Sequence, residues 1–268
     1  MSPILAALGL AAALGQPPAG VAALETTIEA SGHHYRLNTD RGRVHVWVPR
    51  GYDAASAGTV VYLHGYYTNA DQAWDEANLP GQFHASGRNG LFIVPESPNS
   101  SNQKVQWPTL GTLLEVVRKW APVPTPRGPV VVVGHSGAFR TIVSWLKDPR
   151  VADVVLLDGL YKDEQNFYWW LLQAPGHSTH RLTLVAAETA ARAESFVRRL
   201  GAVPVWPEVP GPADLSASET RSRVVLIKTH YEHMELVTSG RVIPIVLHLP
   251  PLSPVPQALT RSTSAGRR

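Results

Sequence analysis

Pro129-Val130-Val131-Val132-Val133 is the strongest strand-forming stretch of this chain, and every position after its proline is apolar and β-branched. Such a run has no polar face to turn to water, so it must be covered on both sides. Other segments repeat the demand. Thr59–Gly65, Leu91–Pro95, Val151–Leu157, Leu182–Ala186 and Val224–Lys228 are short apolar runs, while Arg43–Pro49 alternates like a half-buried strand. Between them lie segments of helical spacing: Thr109–Ala121, with Leu110, Leu113, Leu114 and Val117 on one face, then Ala138–Leu146, Gln165–Gln173, Ala190–Leu200 and a short turn near Met234. This alternation predicts an α/β architecture: a doubly wound, mostly parallel β-sheet with helices on both faces.

A length of 268 residues suits one domain, expected over residues 24–250, and is enough to bury a sizeable core. The chain has no cysteine, which excludes disulfides, a thiol nucleophile and thiolate metal sites. A net charge of +3 without a dense basic patch argues against nucleic acid as a partner. Ile4–Gly15 is an Ala/Leu-rich run, and Val21-Ala22-Ala23 would suit a signal-peptidase site, so residues 1–23 read as an export signal or a flexible N-terminus. No Lys or Arg precedes that run, and it is too short to span a bilayer, so no integral membrane span is expected. Ala202–Ser222 is rich in Pro, Gly and Ser and reads as a long loop. Residues 251–268 read as a disordered tail.

The valine run leads straight into Gly134-His135-Ser136-Gly137-Ala138, and a helical pattern follows at once. This strand–turn–helix context resembles the nucleophile elbow of the α/β-hydrolases, G-x-S-x-G, with Ala138 in the fifth, small-residue position. The resemblance makes Ser136 the nucleophile and the Gly137 backbone N–H one donor of an oxyanion hole. His64-Gly65-Tyr66, at the end of an earlier strand, resembles the loop that gives the family its second donor, here the N–H of Tyr66, with His64 in a structural role.

The family order Ser, acid, His implies a carboxylate and an imidazole farther along. Asp158, directly after Val154-Val-Leu-Leu157, is favoured as the acid, because a carboxylate after so apolar a run is unlike a solvated surface charge and is costly there without partners; its competing role is a helix cap. Glu188 stands at the more usual acid position and stays open as the alternative. For the base, His233 opens a short helix after the last main strand and is favoured over His230. His33, His34, His177 and His180 read as surface residues. No metal-ligand spacing occurs among the histidines, and no cofactor is expected.

Resemblance to this family implies hydrolysis of a carboxylic ester through an acyl-enzyme on Ser136, with a small-molecule or acyl ester as substrate. A peptidase or amidase on the same fold is the nearest alternative, and a catalytically inactive binding protein the rival from another class. Tyr66, Tyr67, Trp74, Trp107, Tyr161, Tyr168, Trp169 and Trp170 are expected around the mouth of an aromatic-lined cleft.

Overall fold

Successive side chains of Val130–His135 point to opposite sides of the sheet, and both sides are packed. Val130 and Val132 face one core with Leu110, Leu113, Ile142 and Trp145; Val131 and Val133 face another with Trp74, Phe83, Leu236 and Ile243. The computed structural model describes residues 21–173, 180–215 and 221–256. Residues 1–20, where most of the expected export signal falls, and the end of the expected tail, 257–268, lie outside them.

The sheet has ten strands: β1 (Val21–Glu29), β2 (Gly32–Thr39), β3 (Gly42–Pro49), β4 (Gly58–Leu63), β5 (Gly90–Pro95), β6 (Val130–His135), β7 (Val151–Leu157), β8 (Arg181–Ala186), β9 (Val205–Trp206) and β10 (Val224–Lys228). Their order is β1-β2-β3-β5-β4-β6-β7-β8-β10-β9. From β5 onward every neighbour is parallel, as the apolar runs require. β1, β2 and β3 form an antiparallel meander that joins the sheet through β3 and β5. β2 is half-buried, with Tyr35 and Leu37 buried on one face and His34, Arg36 and Asn38 only partly covered on the other, and it was not anticipated from the sequence.

The helices are α1 (Ala70–Glu76), α2 (Leu79–Ala85), α3 (Leu110–Trp120), α4 (Phe139–Trp145), α5 (Glu164–Leu172), α6 (Ala190–Arg198), α7 (Glu235–Thr238) and α8 (Val242–Val246). Thr109 caps α3, its hydroxyl accepting the Thr112 N–H at 3.3 Å. α4 is anchored by Trp145, which is fully buried and donates its indole N–H to the Trp107 carbonyl at 2.7 Å. Among the described residues no helix is long and apolar enough to cross a membrane. Packing continues past residue 250: Leu252 is buried, the Ser253 carbonyl accepts the Asn89 N–H at 2.8 Å, and Pro254 bridges to Arg88.

Candidate active site

Parallel register aligns the carboxyl ends of four strands. His135 pairs with Leu157, Leu157 with Val185, and Ala186 with Lys228. The residues that follow, Ser136, Asp158, Glu188 and His233, therefore emerge along one edge of the sheet, the edge at which open α/β sheets bind ligands.

Ser136 has φ of +52°, a left-handed conformation that costs energy for any residue with a Cβ. It begins a 3-10 turn, Ser136–Ala138, that runs into α4. The turn is possible because its neighbours are small. A Cβ on Gly134 would come within 2.5 Å of Ile142 Cδ1, and one on Gly65 within 2.8 Å of Ser136 Cβ. A Cβ on Gly137 would strike the Tyr66 ring at 2.4 Å, so that ring lies flat against the turn. Arg140 donates to the Tyr66 hydroxyl at 3.3 Å and to the carbonyls of Ser100 and Gln103 at 3.1 and 2.9 Å, tying the ring to the loop before α3. The His64 ring donates from Nδ1 to the Gly65 carbonyl at 2.8 Å and accepts the Ser97 N–H at 2.9 Å, the structural part expected of it.

Asp158 and His233 are in contact. The His233 Nδ1–H donates to Asp158 Oδ2 at 2.7 Å, and Asp158 is wholly buried, also with a positive φ of 46°. Asp158 Oδ1 accepts the N–H groups of Ala187 and Thr189 and the Thr189 hydroxyl at 3.1, 2.8 and 2.6 Å; Oδ2 also accepts the Glu188 N–H at 3.1 Å. The carboxylate thus also braces the turn leading into α6. Burial pushes the Asp158 carboxyl up, but the bonds from His233, Thr189 and Ala187 outweigh it and hold the group well below the usual carboxylate range. The Asp158 bond in turn raises the His233 imidazole above its ordinary value, against the effect of burial, and the charge of Glu188 adds to the rise.

The other candidates sit differently. His230 is exposed, its ring stacked on Tyr231. Glu188 is exposed and accepts the Tyr161 hydroxyl at 3.1 Å. No direct hydrogen bond links Ser136 to His233 among the described residues; the Tyr161 hydroxyl meets both, His233 Nδ1 at 3.4 Å and the Ser136 side chain. Catalytic hydrogen bonds are commonly long before substrate binds. Asp158, Glu188 and His233 bring one ligand atom each within 4.8 Å of one another, the one such metal-capable group among the described residues. Both Asp158 oxygens and His233 Nδ1 are already engaged there, so a cation would have to displace those bonds.

Two contributors were missed in the sequence. His135, the residue between Gly134 and Ser136, is buried and donates from Nε2 to the His233 carbonyl at 3.1 Å. Arg140 clamps Tyr66. The only signal for either was position, one turn of chain from Ser136. Several expectations also need correction. Trp74, Trp107 and Trp170 are buried in the cores rather than set around the mouth, because the helices and loops that carry them turn these rings inward. His180 is buried beneath Trp170, to whose carbonyl its Nδ1 donates at 2.6 Å, and His34 is half-buried, hydrogen-bonded to His45 at 2.9 Å under the Trp74 ring that stacks on both, so neither is a freely exposed surface residue. His177 lies outside the described residues.

A cleft of about 400 Å3 opens over Ser136, lined by Tyr66, Gly137, Phe139, Arg140 and Tyr161. Tyr161 is also a wall of a second, more polar cavity of about 760 Å3 that contains Glu188, Glu164, Arg192 and Arg199. A hydroxyl on a strained turn and an imidazole bonded to a buried carboxylate are parts that nucleophilic acyl transfer needs.

No protein-family model matches the sequence, and no curated protein matches it. Solved structures match in shape. A feruloyl esterase module from Clostridium thermocellum, complexed with sinapinate, is 13% identical over 88% of this chain and 89% of that one, with a TM-score of 0.53. An S-formylglutathione hydrolase from Agrobacterium tumefaciens is 10% identical over 87% and 100%, with a TM-score of 0.56. A hyperthermophilic esterase from Pyrobaculum calidifontis is 12% identical over 84% of each chain, with a TM-score of 0.50. At such identities the likeness is one of fold, and the fold is that of the α/β-hydrolases.

Proposed function

We propose that this chain of the α/β-hydrolase fold is a serine hydrolase that cleaves a carboxylic ester through an acyl-enzyme on Ser136. The observation that carries the reading is the 2.7 Å bond from His233 Nδ1 to the buried Asp158, which follows the strand next to the one that leads into Ser136. That bond fixes the tautomer in which Nε2 of His233 is free to take a proton. Ser136 Oγ attacks the ester carbonyl while Nε2 takes its proton, and the N–H groups of Tyr66 and Gly137 receive the oxyanion. The tetrahedral intermediate collapses, and the alcohol leaves with the proton from His233. Water, deprotonated by the same nitrogen, then attacks the acyl-enzyme and releases the acid. That two proteins of the same fold are esterases supports an ester in preference to an amide.

A fluorophosphonate probe tests the reading directly. It is expected to label Ser136 and to label nothing in Ser136→Ala, while kcat on p-nitrophenyl esters falls about 10^4-fold or more in that variant. Labelling of another serine, or ester turnover surviving in Ser136→Ala, overturns the assignment. A parallel panel of aminoacyl anilides separates an esterase from a peptidase.

The Ile4–Gly15 run is proposed as an export signal cleaved before Leu24. Such a cut leaves Leu24–Glu29 to pair with β2, beginning with Leu24 opposite Leu37. The mature protein is then expected to start near Leu24 by mass spectrometry; recovery with residues 1–23 intact refutes export.

A further inference from the structure

Around His233 the structure brings together more than one carboxylate. Asp158 accepts the Nδ1–H hydrogen bond at 2.7 Å from beneath, out of solvent. On the open side, the Tyr161 oxygen lies 3.4 Å from the same Nδ1, and the Tyr161 hydroxyl donates to Glu188 Oε2 at 3.1 Å. Glu188 itself brings an oxygen within 4.8 Å of the imidazole and of Asp158. An imidazole needs one partner to fix its tautomer; here a second carboxylate is wired to the same nitrogen through a phenol.

We propose that Tyr161 and Glu188 form a second, solvent-facing route from Nδ1 of His233 to a carboxylate, one that stabilises the imidazolium beside Asp158 and serves in its place when Asp158 is lost. This rests on the proposed role of His233 as base. The phenol suits the link. Burial, with the charges of Asp158 and Glu188, keeps it protonated, so its single proton is committed to Glu188 and its lone pairs face Ser136 and Nδ1. Lengthening the Asp158 bond, or removing that carboxylate, leaves Nδ1–H with an acceptor that is already hydrogen-bonded to a negative charge. Glu188 and Tyr161 are positioning residues in this scheme, because they act through His233.

The groups that face the imidazole define its titration. They are Asp158 at the end of β7, Tyr161 beyond it, Glu188 at the end of β8 and His135 at the end of β6. Glu232 and Glu235 lie on its own segment, and Glu235 Oε2 is occupied by the Glu232 N–H at 2.9 Å. Burial pushes His135 down to about 4, so it stays neutral through the range in which His233 titrates.

The experiment is a pair of mutant cycles on the full chain, read as pH profiles of kcat/KM on a p-nitrophenyl ester. Glu188→Gln alone is expected to lower the apparent pKa of the acid limb by roughly half a unit, as for a charge ~5 Å away across solvent. In an Asp158→Asn background, Glu188→Gln or Tyr161→Phe is expected to cost a further tenfold or so, well beyond the cost of each in the wild type. Equal costs in both backgrounds, with an unmoved acid limb in Glu188→Gln, overturn the proposal. Because Glu188 is exposed and Tyr161→Phe is nearly isosteric, both variants keep the fold, and phosphonate labelling of Ser136 reports on it. If Asp158→Asn retains full activity while Glu188→Gln abolishes it, the fault lies in the assignment of the acid itself, and the two failures are thereby told apart.

Discussion

His135 and His233 are joined twice: the His135 Nε2–H donates to the His233 main-chain carbonyl at 3.1 Å, and their rings lie 4.5 Å apart at 40°. The bond ties the loop that bears the imidazole to the turn that bears Ser136, although the two are nearly a hundred residues apart in the chain. Burial keeps His135 neutral, with its proton on Nε2, over the pH range in which a hydrolase of this kind works.

His135→Ala is therefore expected to reduce kcat on an ester by about 10- to 100-fold while changing KM little, the effect of a base held slightly out of line. His135→Gln keeps a side-chain N–H donor and should recover part of the loss. Steady-state kinetics of the two variants decide the matter; a change confined to KM in both rules out this role for His135.

Activity should also report the partner of His233. A general base must be unprotonated, so kcat/KM should rise with pH through the imidazole's titration. Since the Asp158 bond raises that pKa above the ordinary 6.5, the acid limb should have its midpoint above 6.5. Asp158→Asn removes the charge that favours the imidazolium, so the limb of its residual activity should move to lower pH as the rate falls. A limb that stays in place in Asp158→Asn means that another group titrates.

The flat packing of Tyr66 on Gly137 yields a sharper steric test. In Gly137→Ala the new Cβ meets the Tyr66 ring at 2.4 Å, so the ring or the turn must shift, and both carry N–H groups assigned to the oxyanion. Turnover should fall by about 10^2-fold, the usual cost of losing one such donor. Adding Tyr66→Ala removes the obstructing ring but leaves the Tyr66 position its N–H, and should restore part of the rate. A double variant no better than Gly137→Ala alone would mean that the lost activity has another source.

Much of this arrangement was legible because it is local. The valine run, the small residues at 134, 137 and 138, and a carboxylate at the end of an apolar strand each state their surroundings within a few residues. β1 and β2 escaped because β1 is an exposed edge strand without an apolar rhythm, and β2 carries His, Arg and Asn at its outward positions. The burial of Trp74, Trp107 and Trp170 was not legible, because an aromatic ring in a short helix or loop reads the same whether it turns to a cleft or to the core. The pairing of Glu188 with Tyr161, and of His135 with His233, depends on the level ends of β6, β7, β8 and β10, which only the assembled sheet supplies.

One cluster far from the site should govern stability in acid. His45 is buried on β3, where its Nε2–H donates to Asp71 at 2.9 Å while its Nδ1 lies 2.9 Å from Nε2 of His34. Trp74 stacks on both rings, and Arg36 holds Asp71 from the other side. Burial, followed by the charge of His34, lowers the His45 pKa from 6.5 to about 4, against the pull of Asp71. Protonating His45 would set two N–H groups against each other across the His34 contact. The sign follows from linkage: the folded state refuses a proton that the unfolded chain accepts, so the stabilisation is complete above pH 6.5 and is lost as pH falls toward 4. His135, lowered in the same way, adds to this loss. His34 and His248, also lowered by burial, contribute in the same direction, and His45→Gln removes one of these titrating groups. Urea midpoints measured from pH 7 to pH 4 should therefore decline less steeply in His45→Gln than in the wild type, whatever the variant's stability at pH 7. Parallel declines would show that His45 takes up its proton in the folded chain as readily as in the unfolded one.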